Sequence, residues 1–270
     1  WNTDGFTLIY GGQQVPNYDG HTYVAWQWKA NGGTTVSNTE GNVTNTLQVN
    51  QDAGFSISKF PSAASGNTTF GHGLGVTPDM FIVKVASAGG GWWVNHKGLT
   101  NRTTKYLGLN STAAEGTVSW GAAPSSTLIT ASADFIGSGN TSVVCYAFAE
   151  KQGYSKFGKY VGNGNANGSF VYTGFKPAWI MLKPSSAADN WIIVDNKRDP
   201  SNGANAAQKR LFADTVGTEG TGYAVCDMLS NGFKMRATST SWNGNGTTYI
   251  YMAFAENPFT TSTGIPTTAR

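Results

Sequence analysis

The chain has 270 residues, of which 12% are charged and 13% aromatic, and its formal net charge at pH 7 is +3. Disordered chains are poor in aromatic residues, so this composition excludes extensive disorder. No apolar run approaches the ~18 residues of a membrane-spanning helix, and no heptad pattern indicates a coiled coil. Basic residues are not clustered, so nucleic acid is not an expected partner. The composition predicts a globular, turn-rich chain without membrane insertion.

The beginning of the chain resembles a later part of it. Residues 20–28 are similar to residues 246–254. We therefore interpret residues 1–30 as the closing strands of a partial repeat unit, followed by a Gly/Thr/Asn-rich linker at residues 31–46. Because two strands alone are marginally stable in water, we expect a preceding region or a neighbouring chain to cover them.

Two full repeat units are predicted after the linker. Residues 143–150 (VVCYAFAE) recur as residues 249–256 (YIYMAFAE). Slowly drifting offsets between such pairs indicate one ancestral unit with small loop insertions, which places the units at 47–152 and 153–259, with a C-terminal tail at 260–270. Further matching pairs are 78–84 with 177–183 and 105–107 with 209–211.

Short segments between turns read as strands. Residues 80–85, 92–95, 179–183 and 191–195 are rich in β-branched or aromatic residues and are bounded by Gly, Pro, Ser or Asn. The nearly continuous apolar run at 249–254 is typical of a central strand buried on both faces. Many short strands at regular turn spacing predict an all-β fold made of tandem, jelly-roll-like β-sandwich domains related by the internal repeat.

The residue types that carry most enzyme chemistry are scarce and scattered. His21, His72 and His96 lack metal-site spacing, and Cys145 and Cys226 read as small buried side chains. No nucleophile-elbow, phosphate-loop or paired-cysteine motif is present. We therefore predict a protein that is not an enzyme and has no cofactor, metal or catalytic residues.

The carboxylates give one alternative to that prediction. Glu115 and Glu219 are repeat equivalents, as are Glu150 and Glu256. Members of such a pair occupy the same place in different units, so they cannot both line a cleft within one unit. We interpret them as turn and strand-end groups; a glycosidase with a site between units is the alternative.

Four residues are candidates for contact with a ligand or partner. Trp120 and Trp242 lie in polar, loop-like surroundings, where an exposed indole can stack on a sugar; burial at a domain interface is the alternative reading. Lys197 and Arg198 belong to the densest charge run, residues 195–200. That run is either a solvated strand end or a contact loop, because binding residues often lie on loops.

Seven strings extend over most of the chain and resemble the C-terminal region of tail-fibre or structural virion proteins of tailed bacteriophages that infect marine bacteria. They are 23–30 (YVAWQWKA), 72–80 (HGLGVTPDM), 96–99 (HKGL), 153–158 (GYSKFG), 172–179 (YTGFKPAW), 195–200 (DNKRDP) and 253–259 (AFAENPF).

The resemblance implies a structural protein of the virion surface, a fibre or spike that displays β-sandwich domains for attachment to the host surface. Its expected partners are other virion proteins, a host-surface glycan or receptor, and further copies of the chain, with a trimer favoured. The resemblance supplies no catalytic or binding residues. The alternatives are a capsid-decorating or head-fibre protein and a lectin-like carbohydrate-binding module.

Overall fold

The computed structural model describes residues 5–8, 19–198 and 206–258, and within these ranges the fold is all-β. Its strands form four antiparallel sheets, and its one described helix is α1 (Ala133–Ile136). No helix in the described ranges is long and apolar enough to cross a membrane. The predicted all-β, sandwich-type fold class is confirmed.

The first half of the chain forms an eight-stranded and a two-stranded sheet. The larger sheet has the strand order β1-β2-β3-β10-β5-β6-β7-β8, and β4 pairs with β9 in the smaller one. The strands are β1 (Val36–Asn38), β2 (Asn45–Asn50), β3 (Phe55–Pro61), β4 (Thr68–Gly71), β5 (Met80–Val85), β6 (Trp92–His96), β7 (Lys105–Gly108), β8 (Gly116–Thr117), β9 (Leu128–Ala131) and β10 (Ser142–Phe148).

The second half forms a five-stranded sheet, β11-β19-β13-β14-β16, and a four-stranded sheet, β12-β18-β17-β15. The strands are β11 (Ser155–Val161), β12 (Phe170–Tyr172), β13 (Pro177–Pro184), β14 (Ile192–Asp195), β15 (Ala206–Ala207), β16 (Arg210–Phe212), β17 (Cys226–Leu229), β18 (Gly232–Met235) and β19 (Thr248–Ala255).

The two large sheets have the same strand order over five strands. The order β3-β10-β5-β6-β7 in the first half corresponds to β11-β19-β13-β14-β16 in the second. The similar sequences at 143–150 and 249–256 lie in β10 and β19, which occupy the same place in their sheets. The division into repeat units and their common origin stay predictions.

Three hydrophobic cores separate the four sheets into layers. One core lies between the two- and eight-stranded sheets, a central core lies between the two large sheets, and a third lies between the five- and four-stranded sheets. Successive side chains of a strand point to opposite faces. In β19, Tyr249 and Tyr251 therefore enter the third core, while Ile250 and Met252 enter the central core. This confirms that residues 249–254 form a strand buried on both faces.

A tight turn at Gly54 connects β2 with β3. This turn lies against the end of β10. Gly54 has a φ of +65°, and a Cβ at this position would lie 2.1 Å from the carbonyl oxygen of Ala149. The backbone N–H of Ala149 donates to the carbonyl of Gly54 at 2.7 Å. Glycine is required here both for the left-handed backbone and for this close approach.

Hydrogen bonds connect the two large sheets across the central core. The Trp191 indole N–H donates to the Gly108 carbonyl at 2.7 Å. Nδ1 of His96 accepts from the Gly98 N–H at 2.9 Å, so the proton is on Nε2, which lies 3.1 Å from the Tyr251 carbonyl oxygen. Both side chains are buried, and each connects one half of the chain to the other.

Near the N terminus, the expected strand is wrong, and the predicted linker holds a short strand. Residues 21–29 form no strand, although they were expected to be a closing strand. Their aromatic side chains instead pack on the edge of the central core, with the Trp28 ring 5.3 Å from Trp179 and 5.4 Å from Phe254. The predicted linker at 31–46 contains β1, which pairs with β2.

Residues 1–4 and 9–18 of the predicted partial unit, and the predicted tail at 260–270, lie outside the described residues.

Candidate functional site

Trp120 is a core residue, and its predicted role as a surface contact is wrong. Its side chain is fully buried in the core between the eight- and two-stranded sheets. The indole N–H donates to the Lys105 carbonyl at 2.8 Å, and the ring meets Phe81 edge-on at 5.1 Å. Because the backbone of Trp120 bonds to Thr103, the polar loop turns this side chain inward.

Trp242 is also buried, so its predicted ligand contact is wrong for the same reason. It is 5% exposed and packs in the core between the five- and four-stranded sheets. The Arg210 guanidinium lies 5.4 Å from the centre of its ring, within the range of a cation–π interaction. The indole nitrogen of Trp242 has no hydrogen-bond partner among the described residues.

The turn after β14 separates the other two candidates. Asp195 is buried, and its Oδ1 accepts from the backbone N–H groups of Lys197 and Arg198, each at 2.9 Å. This local side-chain-to-backbone pairing shapes the turn. The Lys197 side chain is exposed, whereas Arg198 turns back toward the protein.

Arg198 is at the centre of a polar network that connects three segments of the chain. Its Nε donates to Asp195 and its Nη1 donates to Glu219, both at 2.6 Å. Its Nη2 lies 3.3 Å from the carbonyls of Ile193 and Lys209. The guanidinium also lies 5.5 Å from the centre of the Trp26 ring. Only 12% of the Arg198 side chain is exposed, so these contacts hold its orientation.

The network stabilises the charged form of Asp195. Burial alone would raise the pKa of this carboxyl group, but hydrogen bonds from the Arg198 side chain and from the turn backbone outweigh burial and lower the pKa. Asp195 is therefore ionised at neutral pH and holds both the turn and Arg198 in place.

A cleft of about 750 Å³ opens beside this network. Residues 20–24 line the cleft together with Arg198, Lys209, Leu211 and residues 217–219. Arg198 contacts both Trp26, which follows the first of these segments, and Glu219, which belongs to the last. The volume falls within the range of small-ligand sites.

The cleft offers an aromatic surface together with a cation and an anion. Tyr23 is 51% exposed, and its ring stacks with His21 at 6.5 Å. The Lys209 ammonium lies 3.5 Å from Glu219, with 42% and 32% of the two side chains exposed. This arrangement can donate and accept hydrogen bonds side by side while it packs against an apolar ring face.

Sequence reasoning singled out two residues of this cleft as chemical candidates, Arg198 and Glu219, and interpreted the second as a turn or strand-end group. Arg198 was a candidate, and the structure places it there. Tyr23 gave no signal because residues 20–28 were read as a paired strand. The 105–107 and 209–211 match did identify Lys209, but only as a repeat position.

Most other reactive groups are used in structural contacts. Burial lowers the pKa of His96 to about 3 and also lowers that of His72, so both rings are neutral. Burial raises the pKa of both cysteine thiols well above the usual range. Within the described ranges, no three His, Cys, Asp or Glu side chains come together as a metal site.

Three of the four paired acids make contacts at turns and strand ends, and the fourth, Glu219, pairs with Arg198 and Lys209 beside the cleft. Glu115 accepts from the Thr100 hydroxyl at 2.6 Å. Glu150 forms an ion pair with Lys97 at 2.6 Å and a second one with Lys156. Glu256 pairs with Lys176 at 2.9 Å.

One family model matches most of the chain. A family model described as a domain of unknown function, DUF7483, matches residues 1–258. The chain belongs to the DUF7483 family. The match extends over both halves of the structure, including the segments that line the cleft. Neither a curated protein nor a solved structure matches the chain.

Proposed function

We propose that this DUF7483 protein is a structural protein of a bacteriophage virion, a fibre or spike component that presents stacked β-sheets for attachment to the host surface. The observation that carries the proposal is the resemblance of seven strings, from residue 23 to residue 259, to tail-fibre and structural virion proteins. A non-enzymatic role is part of the proposal.

The construction of the molecule supports a display role. Both large sheets are buried on both faces in their central strands, which makes a rigid support for surface loops. The buried thiols stay protonated, which disfavours their use as nucleophiles or metal ligands, and both ring nitrogens of His96 face backbone groups. Host attachment requires neither a nucleophile nor a bound metal.

The proposed setting is the exposed surface of the particle, with other virion proteins and a host glycan or receptor as partners. We expect a homo-oligomer, with a trimer favoured because fibres are often trimeric. Sedimentation equilibrium of the purified chain should give three times the chain mass. A purely monomeric species would contradict this part of the proposal.

Particle labelling tests the proposal directly. A tag placed after Arg270 and marked with gold should appear on tail fibres in electron cryo-microscopy. Label on the capsid faces would support the capsid-decorating alternative, and particles without label would overturn the virion assignment. Purified chain should also slow adsorption of untagged particles to host cells if it carries the attachment surface.

A further inference from the structure

The cleft beside Arg198 has the chemistry of a saccharide site. We propose that it binds a neutral sugar, with the Tyr23 ring packed against one face of a pyranose and with Glu219 and Lys209 bound to its hydroxyl groups. This assignment deepens the proposed attachment role and rests on it for its biological setting. The expected carbohydrate contacts are therefore no longer Trp120 and Trp242, because both are buried.

The aromatic part of the argument comes from Tyr23. Half of its surface is exposed, and the ring lines the cleft instead of entering a core. The C–H groups on one face of a pyranose are apolar and pack on such a ring. A phenol also has few rotatable bonds, so contact with it costs little conformational entropy.

The polar part comes from two side chains that are close to each other. The Glu219 carboxylate accepts hydrogen bonds, and the Lys209 ammonium 3.5 Å away donates them. Neighbouring sugar hydroxyls can donate to the one and accept from the other. Arg198 holds Glu219 at 2.6 Å, so the acceptor is oriented before a ligand arrives.

The ion pairs beside the cleft favour a neutral ligand over an anion. Among the described residues, Arg198 pairs with Asp195 and Glu219, and Lys209 pairs with Glu219. A phosphate or sulfate would have to compete with carboxylates already bound to Arg198. A polyhydroxyl compound uses donors and acceptors together and requires no excess positive charge.

Ligand titration of the full chain followed by two-dimensional NMR tests the proposal. The probes are glucose, galactose, rhamnose, N-acetylglucosamine and N-acetylgalactosamine, with inorganic phosphate as the anionic comparison. At least one sugar should shift the signals of residues 20–24 and 217–219 in a saturable way. Phosphate should not shift them at the same concentrations.

Three variants separate stacking from general effects on the fold. Tyr23→Ala should weaken sugar binding at least tenfold, whereas Tyr23→Phe should keep it within threefold because the ring remains. Tyr172→Ala is the matched control, since Tyr172 is 63% exposed on β12 and does not line the cleft. This control should bind sugar like the unmodified chain.

The outcomes distinguish this proposal from the virion assignment. Three outcomes would each overturn the saccharide site. They are signals of residues 20–24 and 217–219 that no sugar shifts, sugar binding that Tyr23→Ala leaves unchanged, and preferential binding of phosphate. Gold label on the tail would leave the attachment role intact in all three cases. Conversely, sugar binding by a chain that is absent from particles would overturn the virion role and keep the site.

Discussion

His96 connects the two large sheets at the scale of a single residue. Its Nδ1 accepts from the Gly98 N–H, and its Nε2 faces the Tyr251 carbonyl across the central core. Burial is the main reason why the pKa of this ring falls to about 3, and the nearby cations Arg102 and Lys97 lower it further against the effect of the Tyr251 carbonyl. The folded protein therefore needs a neutral imidazole.

This need predicts acid sensitivity. The unfolded chain binds a proton on His96 below its ordinary pKa of 6.5, while the folded chain does not until about pH 3. The free energy of unfolding should therefore be independent of His96 titration above pH 6.5. It should fall as the pH drops from 6.5 toward 3, by up to about 5 kcal/mol. Urea unfolding at a series of pH values measures this.

A variant isolates the contribution of His96. His96→Gln removes the titrating group and keeps a side chain that can donate to Tyr251. Its free energy of unfolding should be lower at pH 7 but should change less between pH 6.5 and 4.5. An unchanged slope in that interval would show that other groups cause the acid sensitivity.

At the scale of elements, turns decide where strands end and where the next ones begin. The Asp195 turn orients Arg198, and the Gly54 turn sets the entry of β3 beside β10. The two turns differ in how they are stabilised. The first depends on a buried carboxylate that accepts two backbone N–H groups, and the second on a residue without a side chain.

Gly54→Ala should destabilise the fold more than a matched change elsewhere. Gly66 has a similar φ of +68°, but no atom lies within 4 Å of a Cβ placed there. Gly66→Ala should therefore cost only the left-handed backbone strain, about 1–2 kcal/mol. Gly54→Ala adds the clash with the Ala149 carbonyl and should cost clearly more. Equal losses in chemical denaturation would contradict this account of the turn.

At the scale of the whole molecule, the central core makes the two halves depend on each other. Trp179, Met181 and Phe254 from the second half pack with Phe55 and Phe148 from the first. Since both large sheets lose water on these faces together, separation of the halves would expose the central core, although each half also has a core of its own. We expect the described fold to unfold in one cooperative transition.

Two methionine variants test this cooperativity. Met252 lies in the central core and Met235 in the core between the five- and four-stranded sheets. Truncation of either to Ala should cost about 2–5 kcal/mol. If unfolding is global, both variants should reduce hydrogen-exchange protection in β10 and β19 alike. Unchanged protection of β10 in Met235→Ala would show that the halves unfold separately.

The amino-acid sequence determined the secondary-structure class and the burial of the central strands. Short β-branched and aromatic segments between turn residues predict strands from local chemistry alone, and the apolar run at 249–254 predicts a strand buried on both faces. The sequence also indicated that repeat-equivalent acids do not share a cleft within one unit, because members of such a pair occupy the same place in different units.

Only the tertiary structure decided what lies on the surface. Trp120 and Trp242 sit in polar sequence surroundings, yet both are buried because distant strands supply their cores. Residues 20–28 match a strand in sequence but dock through Trp28 on the central core instead. The cleft at Tyr23, Arg198 and Glu219 joins segments far apart in the chain. Local pattern carries no information on such contacts, because long-range packing selects which faces meet.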